Sequence, residues 1–256
     1  MKATAKTGTE GRGAIGPARL WAMLFVVFTA GYLVMALEIL AFRIVQVYFG
    51  SAIYATGAVL GVVLAALSLG YWLGGTFSVT FSPNRIQAVA LFCAGVWIFF
   101  MAGVPRPVGA LAQIREDPRA LSKPYVASPW KTVPEWVEEH PASQSPEVRL
   151  RIDPLLGSLF LFFIPSLFLA TVAPCAIRAL TTRASEAGRV SGWVFALGTI
   201  GSIAGVLVTS FWLIAVLGLS ANLRVVGLAA FALCFLASAL GKERVSKRSM
   251  VVRTNG

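Results

Sequence analysis

Charge is what this 256-residue chain has least of. Asp, Glu, Lys and Arg make up only 13% of it, about half the share usual in soluble domains. Acid is scarcer still, with 11 acidic against 22 basic residues and a net charge of +11. Histidine occurs once, as His140 in a polar segment, where a lone imidazole is ordinarily just solvated. The three cysteines, Cys93, Cys175 and Cys234, lie in different apolar runs and form no C-x-x-C pair. That spacing excludes a disulfide framework and a thiolate zinc site and leaves them as small buried hydrophobes. One stretch, Gly11-Arg12-Gly13-Ala14-Ile15-Gly16, fits G-x-G-x-x-G, but it follows no strand, so the dinucleotide context is missing. No metal set, cofactor or catalytic residue is expected.

What the chain has in abundance is hydrophobic residues, 57% of the total, in long runs. At about 20 apolar residues per crossing, these give an all-α polytopic membrane protein with six transmembrane helices. The expected spans are Leu20–Val47, Ile53–Val79, Ile86–Val104, Leu155–Leu180, Val190–Leu217 and Val225–Leu240. A polar basic tail (1–19) precedes helices one to three (20–104). A Pro-rich segment (105–153), helices four to six (154–241) and a second basic tail (242–256) follow. The first run is too long for a signal-peptide core and has no clear small-residue cleavage site, so it reads as a retained span.

The basic residues crowd the tails and the short connections, at Arg85, Arg178, Arg183 and Arg189. That is the positive-inside pattern of a membrane protein, not a groove for nucleic acid. It places both termini in the cytoplasm and residues 105–153 outside, in a bacterial inner membrane. The outer segment holds seven charges of each sign and eight of the thirteen prolines, Pro105 to Pro146. It reads as a loop with short helical turns, one of them at Pro134–Glu139, with Trp130 and Trp136 suited to the membrane interface. Such a loop is an expected docking surface for protein partners.

Two kinds of residue stand out inside the apolar runs. Glu38, Arg43 and Arg178 are ionisable, and charge in hydrocarbon needs a partner or a task. Glu38 reads as a salt-bridged or hydrogen-bonded carboxylate that fixes helix register, as a protonatable group or ligand for a cationic amine, or as an interfacial, solvated glutamate. Arg43, five residues on, is off Glu38's face and reads as snorkelling or pairing with another helix, and Arg178 as snorkelling. The second kind is small: Gly57, Gly61, Ala65, Gly70 and Gly74 in span two, and Gly198, Gly201 and Gly205 in span five. Small residues at such spacing let helix backbones approach. Pro165 and Pro174 should kink span four.

The two halves also echo each other. Glu38–Arg43 parallels Ala173–Arg178, a Gly-bearing turn follows each (Phe49-Gly50-Ser51, Ala187-Gly188-Arg189), and a small-residue helix comes next. The echo fits a 3+3 inverted repeat like half of a major-facilitator fold. It equally fits six helices packed through ordinary small-residue faces.

Several strings resemble the membrane domain fused to bacterial spermidine-synthase-like proteins. They are Met35-Ala-Leu-Glu-Ile-Leu-Ala with Arg43, Tyr48-Phe-Gly-Ser51, Leu60–Gly75, Pro165–Arg178 and Gly188–Thr209. The resemblance implies a membrane body beside a soluble aminopropyltransferase-like domain. The present sequence holds only Asp117 and Asp153 as aspartates, too few to hold an amine as that domain does. The leading expectation is a non-enzymatic membrane subunit or scaffold packed against partner proteins. The alternatives are a transporter-like module for a small cationic or amine substrate, with Glu38 as the binding or protonatable group, and a membrane partner of a separate spermidine-synthase-like enzyme. The topology is directly testable: single cysteines at Thr4 and Thr254 should both react with a membrane-impermeant maleimide only from the cytoplasmic face. Labelling of the two from opposite faces would overturn the even number of crossings.

Overall fold

The computed structural model describes residues 16–49, 53–103 and 146–254. Every element in those residues is helical. Helix α1 (Pro17–Phe49) is followed by α2 (Ile53–Thr80) and α3 (Pro83–Gly103). A broken helix comes next, made of α4 (Pro146–Ser158), a π-helical turn (Leu159–Phe163), α5 (Ile164–Ala170) and α6 (Val172–Leu180). After a 3-10 turn (Ala184–Glu186), α7 (Ala187–Val208) runs through a second π-helical turn (Thr209–Leu213) into α8 (Ile214–Thr254). Five segments are long and apolar enough to cross a membrane: Pro17–Gln46, Ile53–Thr80, Pro83–Ala102, Ile152–Leu180 and Ala184–Gly241.

The fifth segment is 58 residues long, about 87 Å if straight, nearly three times a hydrocarbon core. It is not straight. Gly218 has φ 69° and ψ 178°, a region essentially reserved for glycine. The Asn222 side-chain amide closes this bend, donating to Leu213 O at 2.8 Å and Gly218 O at 2.6 Å. The two arms then pack on different helices. Before the bend α7 lies along α1, and after it Leu223, Val226, Ala230, Leu233 and Ala237 are buried where α8 packs against α3.

Glycine contacts give the relative directions. Gly198, Gly201 and Gly205 meet Val27, Phe28 and Tyr32 in the same order, so α7 runs parallel to α1. Gly70 meets Leu167 and Ala170, and Gly74 meets Thr171 and Pro174, so α2 runs parallel to α5–α6. Gly95 faces Phe231, Gly227 faces Phe99 and Gly241 faces Asn84, so the second arm of α8 runs antiparallel to α3. One end of the bundle gathers Met23, Leu24, Val27, Ala176, Ala179, Leu180, Val194 and Leu240 into a single cluster. The helix termini that converge there bring Arg19, Arg85, Arg178, Arg183 and Arg189 to that end. Helix α1 is the core helix: Met23, Val26, Leu33, Leu37 and Leu40 along it are fully buried.

Several sequence-based boundaries move. Residues 146–153, expected within the outer loop, are helical and continuous with the fourth apolar segment, because Pro146 is compatible with the first turn of a helix. Ala187–Arg189 is not a turn but the start of α7. The turn lies at Thr181–Glu186, where Thr182 Oγ1 donates to Glu186 Oε2 at 2.7 Å. The helix of α8 continues through 242–254, which was expected to be a tail. The Gly50 turn, His140, Trp130, Trp136 and residues 104–145 lie outside the described residues.

The small-residue stripe divides in two. Gly70 and Gly74 touch a helix backbone, whereas Gly57, Gly61 and Ala65 are exposed and nothing comes within 4 Å of a Cβ built on either glycine. The reason is register: the three exposed residues point off the face on which α2 meets its neighbours. A Cβ at Gly201 would collide with Phe28 O and one at Gly205 with Tyr32 O. Gly201→Ala and Gly205→Ala should therefore each destabilise the protein in detergent by about 1–3 kcal/mol. Gly57→Ala and Gly61→Ala should raise stability by up to about 1 kcal/mol through helix propensity. Thermal unfolding of the four variants checks both signs.

Candidate functional site: a cleft between four helices

The broken helix explains how the site is held. Pro165 has no N–H, so the carbonyl four residues earlier, Leu161 O, loses its helical donor. Trp97 of α3 replaces it, donating its indole N–H to Leu161 O at 3.0 Å. Nearer Pro174, the Gln87 side-chain amide donates to Val172 O at 3.0 Å, and Gln87 is fully buried. At the break itself Thr171 Oγ1 donates to Phe168 O at 2.8 Å. Unsatisfied backbone groups cost several kcal/mol in hydrocarbon, so α3 acts as a strut that makes the break tolerable. Cys175 Sγ adds a weak donor to Gly74 O at 3.7 Å, and Ser202 Oγ donates to Gly31 O at 3.3 Å across the α7–α1 contact.

Between these contacts lies a cleft of about 180 Å³. Helix α1 lines it with Val27, Ala30, Gly31, Val34 and Met35, and α2 with Leu67 and Tyr71. The broken helix contributes Leu169, Ala170, Val172 and Ala173, and α7 contributes Val194, Phe195, Gly198, Thr199 and Ser202. No lining residue is charged. The side-chain hydroxyls are those of Tyr71, Thr199 and Ser202, and Thr199 Oγ1 donates to Phe195 O at 2.9 Å. Two of the three are thus already engaged with backbone carbonyls. The space exists because glycines let α1 meet α7 and α2 meet α5–α6 so closely that the four helices cannot also fill the middle.

The ionisable residues are not brought together. Glu38 is half-buried, Arg43 is exposed and Arg178 is exposed. Arg178 sits beside Ala179 and Leu180 in the cluster that contains Met23. Met23 is fifteen residues from Glu38, about 22 Å of helix rise, so Arg178 and Glu38 are at opposite ends. Arg43 is turned about 140° from Glu38 around α1. No described residue hydrogen-bonds or ion-pairs with Glu38. It stands on the cleft-facing stripe of α1, seven residues after Gly31, four after Val34 and three after Met35. Glu38 is not part of the lining; its carboxylate belongs to the residue one helical turn beyond the last α1 residue that is. Among the described residues no group of three His, Cys, Asp or Glu is placed to hold a metal.

Comparison with known proteins adds no relative. No family model matches the chain, and no curated protein or solved structure does so. The site thus rests on its geometry.

Gln87, Trp97, Tyr71 and Thr199 were not singled out from the sequence. Trp97 had a readable signal, since a proline inside a span frees a carbonyl that some donor must meet. Tyr71 and Thr199 had none, being ordinary residues of apolar helices. The strut is testable by coupling. Trp97→Phe should cost about 0.6–2 kcal/mol. In a Pro165→Ala background, where the backbone N–H can reach Leu161 O, that cost should fall by half or more. Equal costs in the two backgrounds would remove the assigned hydrogen bond.

Proposed function

We propose that the chain is a six-crossing membrane module built as a 3+3 inverted repeat, and that the cleft is its small-solute site. The observation that carries this reading is the symmetry of the close contacts. Numbering the crossings in order, with Gly218 separating the fifth from the sixth, the pairs are one with five, two with four, and three with six. Exchanging one with four, two with five and three with six returns the same pairs. The atomic contacts correspond as well. Gly201 abuts Phe28 O and Gly205 abuts Tyr32 O, just as Gly70 abuts Leu167 O and Gly74 abuts Thr171 O. Phe28 to Leu167 and Tyr32 to Thr171 are the same displacement along the chain, as are Gly70 to Gly201 and Gly74 to Gly205. This register pairs Glu38 with Ile177, one helical turn from the pairing with Ala173 suggested by the sequence echo.

Inverted repeats of this kind place solute sites at the interface of the repeats, beside discontinuous helices. The cleft lies between the first, second, fourth and fifth crossings, and the broken helix forms one wall. The arginine-rich end is cytoplasmic in this reading, with both termini on that side of a bacterial inner membrane.

A second reading, a non-catalytic subunit of a larger assembly, draws on the fifth crossing. Within α7 only Val194, Gly201 and Gly205 are buried, while Trp193, Phe195, Ile200, Ile203 and Leu207 are exposed. Such a face suits lipid or another membrane protein, and the two readings are compatible if the module is half of a larger carrier.

Cysteine scanning tests the cleft. Ser202→Cys in proteoliposomes should react with a water-soluble maleimide, whereas Phe211→Cys on the outer face should react only with a lipid-soluble one. Failure of Ser202→Cys to react from water on either side would defeat the solute-site reading.

A further inference from the structure

We infer that the cleft takes a small organic cation, an amine protonated at neutral pH, with Glu38 as its counter-charge. This rests on the cleft being a solute site and names the class of solute.

The lining decides by elimination. An anion would enter a space with no basic residue on its walls. Such a charge would be uncompensated, which low-polarity surroundings penalise heavily. A divalent metal needs several oxygen ligands, and the lining holds no carboxylate, with Glu38 alone one turn beyond it along α1. A sugar or other polyol needs many hydrogen-bonding partners, but Thr199 and Ser202 already donate to Phe195 O and Gly31 O. What remains is a largely apolar solute with one positive centre. Val34, Met35 and Leu67 supply a surface for an alkyl chain, and Tyr71 brings to the lining an aromatic ring, a group that attracts cations. The volume, about 180 Å³, is below the roughly 300–1,000 Å³ of sites for drug-sized ligands, so the solute is small.

Glu38 supplies the charge. It is half-buried within an apolar helix, lies on the same stripe as Gly31, Val34 and Met35, and has no hydrogen-bonding or ionic partner among the described residues. The basic side chain nearest in sequence, Arg43, points elsewhere. A carboxylate with no partner among the described residues is satisfied by a cation that arrives.

The experiment uses the full-length Ser202→Cys chain in nanodiscs and measures maleimide labelling rates with n-butylammonium, 1-butanol or butyrate. Butylammonium should slow labelling severalfold at millimolar concentration, and the neutral and anionic analogues should have little effect. Glu38→Gln should raise the butylammonium concentration needed for half-protection about tenfold or more, and Glu38→Asp should keep most of the protection. Equal labelling rates without amine show that the bundle is intact in each variant. If Glu38→Gln does not fold, the comparison of the three solutes on the parent chain still decides. Equal protection by butanol and butylammonium would overturn the inference, as would protection unchanged in Glu38→Gln. No aqueous labelling of Ser202→Cys before amine is added removes the cleft itself, and both readings fall. Labelling that butylammonium fails to slow removes only the amine.

Discussion

Helix backbones can touch only where side chains leave room, and this bundle is organised by two such contacts. Where Gly201 and Gly205 lie on the carbonyls of Phe28 and Tyr32, and Gly70 and Gly74 lie on those of Leu167 and Thr171, there is no space for a methyl group. In lipid there is no water to squeeze out, so helices are held by close packing and polar contacts, not by the exclusion of solvent from apolar surface. The fixed separation at these points leaves the cleft between the same helices. A bulkier residue there would both loosen the bundle and change the space.

The second constraint is that every carbonyl in hydrocarbon needs a donor. The fourth apolar segment carries Pro154, Pro165 and Pro174 along its length and would be costly standing alone. Helix α3 supplies the indole of Trp97 and the amide of Gln87 at two of its carbonyls. It is itself clamped from the other side by α8, with Phe231 against Phe92 and Phe99 at centroid separations of 5.7 and 6.1 Å. Helix α3 and the second arm of α8 thus back the irregular helix, which faces the cleft with two of its carbonyls supplied with donors. Function, in the proposed reading, occupies the side of the bundle where the packing is least regular.

Much of this was legible in the chain. The long apolar runs follow from the absence of charge, and Glu38 stands out because nothing around it in sequence is polar. Three misreadings share a cause. Gly57, Gly61 and Ala65 were grouped with Gly70 and Gly74 as one packing stripe, yet among the described residues the first three are exposed and only the last two meet a backbone. The turn was put at Gly188 although the connection is capped by Thr182 and Glu186. Pro146 was assigned to a loop although it begins a helix. In each case a local residue preference was read without the tertiary partner that decides its use.

By itself the sequence determined that the chain carries long apolar helices able to cross a bilayer and where its ionisable residues fall along them; it divided them into six spans, where the structure joins the last two in one bent segment and has five. A span's length and apolarity are properties of consecutive residues, so no fold is needed to read them. The tertiary structure alone decided which glycines meet a backbone, that the chain bends at Gly218, and that Glu38 shares a stripe with the cleft while Arg178 lies at the far end. In a helix apolar on every side the pattern does not say which face turns inward. That choice is made by shape, where one backbone fits against another.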